Sequence, residues 1–161
     1  MARLTIQGLD DWSNRIQRMA ERGEEIAKAA VYAGAGVLAD AVAAESNALP
    51  EQQGYMQPGD LRNVVTRDEK AALLSHMGIA HMDTTGGSVT TVIGFNGYSD
   101  HATKKYPNGV PIPLIARSIE SGSSVRRKIP FMRNAANKAK ERVMNAMREA
   151  AEKKFEELGG K

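Results

Sequence analysis

Cysteine is absent from this chain. That excludes a disulfide framework and any thiolate metal site, and it fits folding in a reducing cytoplasm. Aromatic residues are scarce, at 5%, so the core has to be built from Ala, Val, Ile, Leu and Met, a palette that suits helix packing. The first residues, Met-Ala-Arg-Leu-Thr-Ile-Gln-Gly, hold no apolar run of the kind a signal peptide needs. No window is read as approaching the ~18 apolar residues of a membrane span, so no membrane is expected. The three histidines, His76, His81 and His101, have no zinc-ligand spacing. Gly86-Gly87 precedes a strand pattern rather than a helix and is a turn, not a phosphate loop. Ser118, Ser121, Ser123 and Ser124 lack nucleophile-elbow spacing, and Glu120 and Glu141 have no sugar-cleft context. No enzyme activity and no cofactor are expected.

What is present is an uneven charge. The net of +3 conceals a residue 1–103 portion with 8 Lys/Arg against 13 Asp/Glu, and a residue 104–142 portion with 10 against 2. The basic segment includes Lys104, Lys105, Arg126, Arg127 and Lys128. It reads either as a solvated face or as a surface toward nucleic acid or an acidic neighbour. Interleaved aromatics, helix-turn-helix and zinc-finger patterns are all missing, so sequence-specific DNA binding is not expected.

With 161 residues, the chain is long enough for one self-sufficient domain, read as 1–161. Residues 2–7 alternate weakly through Leu4 and Ile6 and read as a short strand ended by Gly8. Asp10, Asp11 or Ser13 is expected to cap a helix. Apolar residues then recur at helical spacing through Ile16, Met19, Ile26, Ala30, Ala33 and Val37 to a stop before Pro50. Gly23 is expected to kink or break that helix. Unbroken, residues 11–48 span roughly 57 Å, well beyond the ~15 Å radius of gyration of a domain this size. The run Ala33-Gly-Ala-Gly36 permits close approach of another backbone, most simply within the chain.

Residues 50–60 are a loop, with Asp60 expected to cap a short helix over 61–65, and residues 67–77 favour helix. Residues 78–84 and 88–95 alternate at period two around Thr85-Gly86-Gly87, a hairpin pattern that puts Val89, Thr91, Ile93 and Phe95 on one face. A long loop covers 96–112. Pro113 is expected to open a short helix to Ser121, and Pro130 the last helix. The expected apolar stripe of that helix is Met132, Ala136, Ala139, Val143, Met147 and Ala150, with Glu149 and Lys153 paired on the outside. The fold class is α+β: a small twisted antiparallel sheet packed by two long helices, with long loops. The two loops carry tyrosine and methionine anchors suited to docking, Tyr55 and Met56 in one, Tyr98 and Tyr106 in the other.

Several segments, taken in order, resemble one family. Ile119-Glu-Ser-Gly-Ser followed by Pro130-Phe-Met-Arg-Asn-Ala135 resembles the C-terminal signature of the small head–tail joining (tail-completion, neck) proteins of long-tailed phages, the gene-product-ten-like group. Ile6-Gln-Gly-Leu-Asp10, Ala48-Leu-Pro50 and Gly59-Asp-Leu-Arg62 resemble its opening, its first helix end and a later segment. Helical character over 67–77 departs from the strand usual there. The resemblance implies a virion structural protein made in the host cytoplasm. It implies a homo-oligomeric ring in the neck, hexamer favoured and dodecamer the alternative, between a head-side adaptor or stopper and the tail terminator or tail tube. DNA would pass through the lumen with only transient, non-specific contact. Loops would become ordered as the ring and its neighbours form. The alternatives are a small basic, non-specific nucleic-acid-binding or packaging-associated protein and, within the same class, a tail terminator.

Overall fold

Two long helices carry the architecture. In the computed structural model, which describes residues 9–53 and 61–158 (for 9–21 the helical backbone only), the order is α1 (Leu9–Asn47), α2 (Arg67–Ser75), β1 (Met77–Ile79), a 3-10 turn (Thr85–Gly87), β2 (Ile93–Phe95), α3 (Ile112–Ser121) and α4 (Phe131–Glu157). The class is α+β, with the two long helices packed on each other and a two-stranded antiparallel sheet. The proposed strand over 2–7 lies outside the described residues.

α1 runs unbroken for 39 residues. The expected break at Gly23 does not occur. One helical glycine costs only about 1 kcal/mol relative to alanine, too little to end a helix this long. The next turn is also supported by an i,i+4 ion pair, Glu24 to Lys28 at 2.6 Å. The helix starts at Leu9, ahead of the residues expected to cap it. Its segment Arg22–Asn47 is long and apolar enough, by length and hydropathy, to cross a bilayer, which corrects the expectation that no such window exists. Part of that segment is core: Ala30, Ala35, Ala41 and Val42 are buried.

α1 and α4 are antiparallel. Glu45 pairs with Lys138 at 2.6 Å, Gly34 faces Val143 and Met147, and Glu25 approaches Lys154 at 3.9 Å, so α4 numbers rise as α1 numbers fall. At the middle crossing a Cβ on Gly34 would sit 2.6 Å from Met147 Cγ and 3.3 Å from Val143 Cγ1, so only glycine fits without displacement. The small-residue run therefore serves a crossing within the chain. Gly36, by contrast, faces open space.

The α4 stripe holds at Met132, Ala139, Val143 and Met147 and fails at Ala136. Pro130 is the residue before the helix rather than its first, and the buried line runs through Phe131, Ala135 and Ala139, with Ala136 exposed. Val143 packs at the edge of the same cluster. At the far end the ion pairs are Lys154 with Glu25 and with Glu157, not Glu149 with Lys153. The core sits where α1, α2, α3 and α4 meet, built from Val42, Leu49, Val65, Leu73, Ile112, Ile119 and Phe131 among others. Phe95 of β2 lies against Phe131, ring centroids 6.0 Å apart.

The hairpin falls where the alternation placed it. Met77 pairs with Phe95, Gly78 with Gly94 and Ile79 with Ile93, and Ala80 N–H donates to Val92 O at 2.8 Å. Asp83 then pairs with Thr90, so two residues, His81 and Met82, oppose Thr91 alone. This is a β-bulge, which twists and re-aims a strand. Gly86 and Gly87 take positive φ, 73° and 77°, in the turn.

Residues 61–65 are extended, not helical. Arg62 N–H donates to Val125 O (3.1 Å), Arg127 N–H to Arg62 O (2.7 Å), Val65 N–H to Pro50 O (2.8 Å) and Gln52 N–H to Val65 O (2.9 Å). The cause is Thr66, which takes the N-cap of α2: its hydroxyl accepts from Glu69 N–H, and the Glu69 carboxylate accepts from Thr66 N–H. With the helix start fixed there, the preceding chain spans the gap between the end of α1 and the 123–127 turn.

Phe131 is 1% exposed. Phe131→Ala is expected to cost about 3–5 kcal/mol, whereas Ala136→Ser should stay within about 0.5 kcal/mol of the parent. Calorimetric melting of both variants checks that Ala136 lies off the core face; equal losses would put it back in the stripe.

Candidate interaction surface

The signature segment resolves into structural joints. The Glu120 side chain, projecting from the end of α3, accepts hydrogen bonds from Met132 N–H at 2.9 Å and Arg133 N–H at 3.4 Å. Pro130 offers no side-chain cap, and the first turn of α4 has no acidic residue. Glu120 therefore supplies from another helix the acceptor and negative charge that a helix N-terminus needs. Gly122 has φ 80°, and a Cβ there would lie 3.2–3.3 Å from Lys128 N and Arg126 O, so the tight turn needs glycine. Ser123 and Arg126 exchange backbone hydrogen bonds, and Ile129 N–H donates to Ile119 O at 2.8 Å, folding the end of the loop back on α3.

Arg126 does not belong to an exposed basic face. It is 5% exposed, and its Nη2 meets Glu69 Oε1 at 2.5 Å; its Nη1 has no partner among the described residues. Arg127 and Lys128 are exposed, as are Lys104 and Lys105. The basic set is thus split: one member holds the fold together and the others face solvent. Burial pushes the Glu69 carboxyl up, but the Arg126 hydrogen bond, the Thr66 N–H and the charges of Arg126 and Arg62 outweigh it and hold it below the ordinary carboxylate range. Sequence reading missed this pair, although Thr66-Arg-Asp-Glu69 is the capping-box pattern that places the carboxylate.

The 96–112 loop is braced by its own main chain. Ser99 N–H donates to Val110 O (2.9 Å), Thr103 and Tyr106 exchange bonds (3.0 and 3.1 Å), and Ile112 N–H donates to Gly97 O (3.0 Å). A Cβ on Gly109 would collide with Ser99 O, and φ there is 98°. On this frame Tyr98 is exposed, while Tyr106 is half-buried with Lys105 Nζ 5.5 Å from its ring centroid. The helix after it starts one residue before Pro113. Tyr55 and Met56 lie outside the described residues, so only one of the two expected docking loops has a geometry. His76, at the end of α2, sits with its Nδ1 3.0 Å from Ser75 Oγ and 3.1 Å from Ala72 O. Among the described residues no group of three or more His, Asp or Glu side chains could hold a metal.

A feature the sequence did not announce is a half-open notch of about 340 Å³ between α1 and the hairpin, lined by Tyr32, Ala35, Ile79, Ala80, His81, Met82 and Thr91. The bulge brings His81 and Met82 to its rim. Its lining is mixed and has no carboxylate or lysine, so it suits an apolar or main-chain guest rather than an ion. Tyr32, 67% exposed, stands beside it. Comparison of the chain with protein-family models, with curated proteins and with solved structures finds no match.

Because the folded Glu69 carboxyl is depressed, the stability it contributes is present above the unfolded value of about 4.3 and is lost as pH falls through the lower folded value. The melting temperature is expected to fall on acidification across that window. Glu69→Ala, which strands the buried guanidinium, should cost about 3–5 kcal/mol at neutral pH and flatten the acid limb. An unchanged acid limb in the variant would show that the pair carries no linkage. Glu120→Ala is expected to lose about 0.5–2 kcal/mol, measured by denaturant melts.

Proposed function

We propose that the chain is a ring-forming structural subunit of a tailed-virion neck. In this reading it joins the head-side adaptor or stopper to the tail terminator or tail tube and lets DNA pass. The observation that carries the reading is the ordered resemblance of the Glu120–Gly122 turn and the Pro130-Phe-Met-Arg start of α4 to the neck family. Physical support comes from the surface. Tyr32, Val92, Tyr98, Val125, Met144 and Phe155 are exposed on a chain that has few aromatics to spare. α1, at 39 residues, outruns its 27-residue partner α4. Large exposed side chains and an overhanging helix suit a subunit that finishes burying itself against copies of itself, and a head-to-tail contact closes into a ring when its rotation permits. The mechanism is interface complementarity, with no chemistry and no cofactor. A tail terminator is the neighbouring position in the same class.

The exposed Arg127, Lys128, Lys104 and Lys105 favour a second reading, a basic protein that associates non-specifically with nucleic acid, or a lumen that touches phosphates weakly. Light scattering and native mass measurement, alone and with tail tubes, separate the two. A hexamer, or a dodecamer, is expected; a monomer at every concentration that binds duplex in a salt-dependent way would replace the ring with the second reading. In the ring case Arg127→Glu with Lys128→Glu should block assembly if these side chains face a neighbour. Normal rings with altered DNA retention would put them in the lumen.

A further inference from the structure

The hairpin has an edge that nothing in the described chain pairs. Hydrogen bonds between its strands link Asn96 N–H to His76 O at 3.0 Å and Ala80 N–H to Val92 O at 2.8 Å, with Gly78 opposite Gly94 between them. In antiparallel pairing the intervening residues turn their main-chain groups outward. Met77 and Ile79 therefore present N–H and C=O along the outer edge of β1, where these groups have no partner among the described residues. Gly78, Ile79 and Ala80 are exposed, Ile79 to 39%, while β2 is half-buried throughout. Natural proteins guard open edges with lysine, proline or a bulge. Here Met-Gly-Ile-Ala carries neither lysine nor proline, and the bulge comes only at His81 and Met82. About four residues of unguarded edge remain, beside the notch formed with Tyr32 and Ala35.

We propose that residues 2–7 of a second copy of this chain add to that edge as a short strand, with Leu4 and Ile6 directed to the notch. The alternation of Leu4 and Ile6 is the pattern of a strand with one apolar face. The donor has to be another copy because of reach. Ile79 sits in the notch with Tyr32 and Ala35, about 34–39 Å down α1 from Leu9 at 1.5 Å per residue. From Leu9, fully extended chain carries Ile6 only about 10 Å and Leu4 about 17 Å. From the Leu9 end of α1, residues 4 and 6 therefore fall short of the hairpin of the same chain. The contact is head-to-tail, as a closed ring requires, and the inference rests on the self-association proposed above.

The absence of cysteine makes the test clean. Chains carrying Ile6→Cys or Leu4→Cys are mixed with chains carrying Ile79→Cys under mild oxidation, with Leu114→Cys, on an exposed face of α3, as the acceptor control. A covalent pair with Ile79→Cys and none above background with Leu114→Cys is expected. A second variant lacking residues 2–7 is expected to keep its helical circular dichroism and lose assembly by light scattering. Full-size assemblies from that truncated chain would overturn strand donation while leaving the ring intact. A strictly monomeric parent would overturn both. A doubly substituted Ile6→Cys, Ile79→Cys chain that closes a disulfide within itself at high dilution would overturn the reach argument.

Discussion

A guanidinium buried to 5% exposure with one carboxylate partner constrains more of this molecule than any other single contact. Arg126 and Glu69 are distant in sequence, yet each is tied to local structure at its own end. Glu69 closes the capping box that starts α2, and Arg126 shares a backbone turn with Ser123 and a bridge with Arg62. A buried ion pair contributes little net stability compared with an apolar substitute, but misplacing either member leaves an uncompensated charge. The pair therefore selects one arrangement of three segments, 62–66, α2 and the 123–127 turn, over compact alternatives with similar apolar burial. Among the described residues Nη1 has no partner, so the contact is made through one arm of the guanidinium.

What could be read beforehand follows from how local each cause is. The hairpin, the helix over 67–75 and both C-terminal helices are declared by periodicity, glycine and proline, which act within a few residues. Most of the errors have non-local causes. Gly23 is the exception, a break expected where one glycine's cost is too small and the Glu24–Lys28 pair is local. Residues 61–65 look helical until two other segments claim their backbone groups. Ala136 looks buried on the apolar pattern of α4 alone, and the packing of the other helices puts Ala135 in the core instead. Arg126 looks like one more surface cation in a basic run, because nothing in its neighbours reveals a carboxylate 57 positions earlier. The notch was illegible for the same reason: it exists only where a bulge meets the small residues of α1.

α1 poses a related problem of composition. Its Arg22–Asn47 segment is apolar enough to pass for a membrane span, yet much of that hydropathy comes from alanine. Small side chains let α4 approach closely at Gly34, and they leave the opposite side smooth at Gly36. The same small side chains that admit α4 on one side leave room on the other, where Ala35 lines the notch against the hairpin.

The segments that carry the family resemblance turn out, where described, to be fold-making. Glu120 caps, Gly122 turns, Phe131 and Ala135 fill the core, and Arg62 bridges to the basic loop through its backbone. Their order can therefore be shared by proteins that need this junction of helices, whatever ring or partner each one meets. On the proposed function, specificity would lie elsewhere, in positions the core leaves free: the tyrosine loop braced by its own hydrogen bonds, the exposed Arg127 and Lys128, and the hairpin edge beside Tyr32. A rigid junction with variable outer surfaces separates two demands that otherwise conflict. The core must be uniquely packed, while the outer surface must be free to change without unfolding it. In this chain the buried Arg126 stands against the core side of that boundary, and Arg127, one residue later, stands on the other.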